Sequence, residues 1–175
     1  MKDKRFERLQ GTDDYNMDED KSNKILILGI GNYLMGDEGV GVHIVHRMAE
    51  MERPDFIDVL DGGTGGFFLM NVFDDYGKVI FVDATMDGAP GGTIKTLKPK
   101  FASDFPNALS VHDVGLKDMI EALFILGKMP ELHLVTISVE ALMPMTTDMS
   151  EQVEACVPAA IETIIDLAKS IHEVT

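Results

Sequence analysis

The chain has 175 residues, enough for one domain with a sizeable core and too few for two of ordinary size. Fifteen basic against thirty acidic residues leave a formal net charge of -15, which argues against a nucleic-acid groove or an anionic membrane surface and suits a metal, a cation or a basic peptide better. Cys156 is the only cysteine, which excludes an intrachain disulfide and a CxxC pair and fits a reducing compartment; no apolar run approaches the roughly 18 residues of a spanning helix, so a cytoplasmic protein without membrane insertion is expected.

Residues 1–23 are mostly charged or polar, without an apolar period or a signal-peptide stretch, and read as a flexible extension; the domain is expected over 24–175. KILILGI (24–30) is a first strand, and EGVGVHIVHRMAEM (38–51) a first helix. FIDVLD (56–61) follows as a strand, then a GGTGG turn opening into FFLMNVF. KVIFVDA (78–84) is a strand, GGTIKTL (91–97) a shorter one, GLKDMIEALFILG (115–127) a helix, and ELHLVTISVE (131–140) another strand. In the last helix, from about Ser150 to His172, Val153, Cys156, Val157, Ala160, Ile161, Ile164, Leu167, Ala168 and Ile171 recur at three- and four-residue steps and make one apolar face, with Ser150 as N-cap. The uninterrupted runs ILIL and VIFV suit strands buried on both faces. Strands alternating with helices therefore predict an α/β fold: a twisted, mostly parallel sheet of about five strands.

Ligands of such sheets gather beyond the carboxyl ends of the strands. Glu38 after the first strand, Asp61 closing the second, Asp83 closing the third and His112 in the loop before helix 115–127 all fall near such ends. The turn GIGNYLMGDEGVG (29–41) looks at first like a phosphate loop, yet Leu34 stands where a dinucleotide fingerprint needs its third glycine, and Gly36 is followed by Asp37 where a P-loop needs lysine. Asp61 keeps a nucleotide reading alive, as a ribose-binding acid, beside its simpler reading as a turn former. Glu38, Asp83 and His112 make an O, O, N set suited to a divalent transition metal with open positions. Against this stands the plainer account in which Asp37 and Glu38 only cap a helix. His43 and His46 share a helix face but lack an HExxH pattern, and Cys156 belongs to the apolar stripe. Twelve methionines raise the prospect of an adaptable peptide-binding surface, with Met35 beside the acidic pair.

GIGNYLMGDEGVGVHIV, the DGGTGG turn with Asp61, the VDA of 82–84 and the SVHDVGL segment with His112, in that order over roughly 150 residues, together resemble the hydrogenase maturation endopeptidases. The resemblance implies a single three-layer α/β/α sandwich and an endopeptidase that trims the C-terminal extension from a nickel-iron hydrogenase large-subunit precursor once nickel is in place. It assigns metal binding to Glu38, Asp83 and His112, and adds Asp61 as a hallmark residue that, like a ligand carboxylate, could serve as general base. The nickel would be supplied by the precursor. The chain departs from the family pattern in residues 1–23 and in Val111, where some members have proline. The alternative is a non-proteolytic metal-centre binding or chaperone module using the same pocket.

Overall fold

In the computed structural model the residues described are 21–64, 66, 69–100, 104 and 114–174, with side chains described for 114–119 excepted. Strands β1 (Ile25–Gly29), β2 (Ile57–Asp61), β3 (Lys78–Thr85), β4 (Ile94–Leu97) and β5 (Glu131–Ser138) form one sheet in the order β2-β1-β3-β5-β4. The first four in that order run parallel, and β4 closes the edge antiparallel to β5. Helices α1 (Val40–Glu50), α2 (Met70–Phe73), α3 (Val114–Ile125) and α4 (Glu151–Glu173) complete the framework, and a 3₁₀ turn (Gly36–Gly39) leads into α1.

The alternation along each central strand divides the interior into two cores. Ile25, Ile27, Ile80, Val82, Val135 and Ile137 pack against Val40, Ile44 and Met48 of α1 and Val153, Val157, Ala160 and Ile164 of α4. Leu26, Leu28, Val79, Phe81, Leu132 and Leu134 pack on the opposite face with Phe73, Ile120 and Leu123 of α2 and α3. This is the expected three-layer sandwich, and the predicted stripe of α4 is the face that is buried. Each fully buried Ile, Leu or Phe contributes about 1.5–3 kcal/mol, so the two cores supply the bulk of the driving force. Cys156 packs partly buried against the first core, where burial raises its thiol pKa and leaves it unreactive.

Candidate functional site

β1 and β3 lie side by side in parallel, with Gly29 opposite Val82, so both chains leave the sheet at the same end. The helix that follows β1 sits directly on the strands: a Cβ on Gly41 would stand 2.1 Å from Val82 O and 2.4 Å from Ile30 O. Only glycine permits that approach. It holds the start of α1, and the 3₁₀ turn before it, over the ends of β1 and β3. Asn32 shapes the loop by accepting a hydrogen bond from Leu34 N through Oδ1 (3.0 Å), and Gly36 takes a left-handed φ of 58° at the entry to the turn.

Glu38 is fully buried in this turn, and Asp83 is fully buried near the end of β3. Taking a carboxylate out of water is costly unless hydrogen bonds or a positive charge compensate it, so two buried acids at one end of a sheet make a candidate site and not a solvated rim. Asp83 Oδ1 accepts from Ala84 N at 2.8 Å. By the alternation of β3, Asp83 follows Val79 and Phe81 and therefore lies on the face covered by α2 and α3. Thr85 shares that parity, as do Thr136 and Ser138 on β5, paired in register with Asp83 and Thr85. All four are buried. This polar group at the strand ends was overlooked in the sequence; its signal was the change from Leu132 and Leu134 to Thr136 and Ser138 at one parity. Ser138 Oγ donates to Asp87 Oδ1 at 2.9 Å, and Lys95 together with Ala89 N hold Asp87 down to a pKa of about 2.

Neither acid of the turn caps α1, whose N-cap is Gly39 with no side chain bonded to the first turn. Asp37 instead reaches across the chain: its Oδ1 accepts from Ser150 N at 2.6 Å, at the start of α4, while Ser150 Oγ accepts from Val153 N. Asp37 is only 4% exposed, so removing its carboxylate leaves the half-buried Ser150 N–H without this acceptor. Asp37→Ala is expected to cost about 1–3 kcal/mol, with Asn recovering part of it, as read by thermal unfolding.

Asp61 stands apart from the buried pair. It closes β2 opposite Gly29, two strand spacings or about 10 Å from the end of β3. Its Oδ1 accepts from Gly63 N at 2.8 Å, the turn-forming role, and its Oδ2 meets His46 Nε2 at 2.7 Å. His46 thus has a partner that the helix spacing alone did not suggest. His43, one turn earlier, stacks on Tyr33 with ring centroids 4.5 Å apart. Burial, then the nearby Arg47 and His46, lowers the His43 pKa, so it is neutral at pH 7. His112 lies outside the described residues, and among the described residues no group of three His, Cys, Asp or Glu side chains could hold a metal ion.

A mostly parallel sheet covered on both faces, with buried carboxylates where β1 and β3 end, defines an α/β protein with a candidate site at that edge. The family model for hydrogenase maturation protease matches residues 42–167. Hydrogenase 2 maturation protease of Escherichia coli is 34% identical over 146 residues, covering 81% of this chain and 88% of that protein. The hydrogenase expression/formation protein HupD of Bradyrhizobium diazoefficiens is 33% identical over 157 residues, covering 83% and 80%. Among solved structures, the hydrogenase maturating endopeptidase HybD from E. coli superposes with a TM-score of 0.76 at 33% identity, covering 84% of this chain and 93% of that one. The chain belongs to the hydrogenase maturation protease family and is a peptidase. Among the described residues, no helix is long and apolar enough to cross a membrane.

Proposed function

We propose that this peptidase removes the C-terminal extension of a nickel-iron hydrogenase large-subunit precursor after nickel insertion, and that it recognises the nickel through Glu38, Asp83 and His112. The observation that carries the reading is the pair of fully buried carboxylates, Glu38 and Asp83, where β1 and β3 leave the sheet. Two anionic oxygens and one imidazole suit a divalent transition metal while leaving coordination positions for the precursor's own ligands. The connectivity supports the third member: His112 is two residues ahead of Val114, which opens the helix on the Asp83 face of the sheet. Nickel in this scheme is part of the substrate, brought by the precursor.

Holding the precursor by its metal converts the approach of the scissile bond into a fixed geometry, and positioning of that kind is a large share of catalysis. Glu38 and Asp83 supply anchoring oxygens on a rigid base, because the turn and the strand that bear them are fastened by Gly41 and by the β1–β3 ladder. A base must take a proton from the attacking water, and Asp61 is the exposed carboxylate of the set, oriented by Gly63 N and His46. No serine or cysteine nucleophile is required, in keeping with the half-buried Cys156, whose thiol pKa is raised by burial.

The test is incubation with nickel-loaded and nickel-free forms of the cognate large-subunit precursor. Mass spectrometry should show a C-terminal peptide released only from the loaded form. Intact loaded precursor, or equal cleavage of both forms, would refute the reading.

A further inference from the structure

Among the described residues Met145 is the one non-glycine residue with a left-handed backbone, at φ 64°, and it is also 92% exposed. A methionine in that conformation is strained, and glycine or asparagine would fill a bare turn at less cost. Such outliers persist where the surrounding structure enforces them, and they point toward function. Here the enforcement is visible. The loop bearing Met145 is tied to the β1–α1 loop by a parallel bridge between Met35 and Thr146, with Gly36 N donating to Thr146 O (2.9 Å) and Thr146 N to Leu34 O (3.2 Å). Met143 packs against Gly36, and Asp37 grips Ser150 N just beyond. Each tie ends on the turn that carries Glu38.

Two exposed apolar side chains result, Leu34 at 58% and Met145 at 92%, on adjacent hydrogen-bonded loops, with Tyr33 at 41% beside them. Leu34 precedes Glu38 by four residues in the loop between β1 and α1. Exposed Asp148 and Glu151 follow Met145, which adds negative charge beside the apolar tips. The geometry points to a docking surface in which Leu34 and Met145 receive an apolar segment of the hydrogenase large-subunit precursor, flanked by basic residues, as its metal is presented to Glu38. This rests on the proteolytic reading and deepens it: the metal reports readiness, and the apolar patch reads the polypeptide. It also relocates the adaptable methionine of the sequence from Met35, which is half-buried, to Met145, whose unbranched thioether can conform to different partner side chains.

Two variants test the surface. Met145→Gln keeps the length and removes the apolar contact; Met145→Gly removes the side chain and the backbone strain together. With nickel-loaded precursor, each is expected to raise KM by about tenfold, as for one lost apolar contact, and the Gly variant should also melt a few degrees higher. An unchanged KM in both variants would overturn the proposal, as would a dimer of the free protein that Met145→Gln dissolves, since the patch would then belong to a second copy. If wild-type protein does not cut, binding of purified loaded precursor by sedimentation decides. Binding weakened about tenfold by Met145→Gly retains the surface while the proteolytic reading falls; equal binding, or none, overturns both. Should Met145→Gln fail to fold, Met145→Gly carries each comparison alone.

Discussion

Glu38→Gln is expected to reduce cleavage of nickel-loaded precursor by about 100-fold or more while leaving the circular dichroism spectrum unchanged. The substitution keeps the shape of a fully buried side chain and removes its negative charge, so it separates anchoring of a cation from packing of the turn. Asp83→Asn should behave in the same way, because Asn Oδ1 still accepts the bond that Ala84 N donates to Asp83 at 2.8 Å. Asp61→Asn should keep recognition of the loaded precursor and lose turnover, since Asp61 closes β2, two strand spacings or about 10 Å from β3, and is exposed where the pair is buried. Wild-type cleavage by Glu38→Gln would remove the metal anchor from the scheme.

Gly41→Ala should produce a large loss of stability, about 4 kcal/mol or more, because the added Cβ would fall 2.1 Å from one backbone oxygen and 2.4 Å from another. Neither Val82 nor Ile30 can easily give way, as Val82 lies within β3 and Ile30, directly after β1, donates its N–H to Val82 O at 2.8 Å. The helix would have to lift, carrying the Glu38 turn with it, and precursor cleavage should fall along with the melting temperature. Gly77→Ala makes a fair control: its added Cβ would meet only Ser22 O, at 3.6 Å, and the expected change is within about 0.5 kcal/mol. Denaturant titration of the two variants beside wild type measures both.

What could be read in advance followed from periodicity. The runs ILIL and VIFV became the two strands on which the cores are built, and the α4 stripe was buried as the three- and four-residue steps required. The places of Glu38 and Asp83 were legible for the same reason, since strand ends set them. Contacts between distant segments were not legible. Nothing local in residues 36–38 announces that Asp37 serves Ser150, 113 residues onward, or that Thr146 pairs with Met35. Asp37 and Glu38 are neighbours with like chemistry, and only the tertiary path sends one to α4 and buries the other at the strand ends. His46 offered no cue to Asp61 either, because that pairing depends on how α1 lies across β2.

The bond from Asp37 to Ser150 also has a consequence in time. The turn bearing Glu38 is made early in synthesis, yet its fastening groups lie on the loop after β5 and at the N-cap of α4, 113 residues beyond Asp37. Until that segment has left the ribosome and docked, the Glu38 turn lacks its Ser150 and Thr146 anchors. The turn is therefore expected to take its folded shape only once residues 146–150 are in place, so a chain cut before them should lack an ordered Glu38.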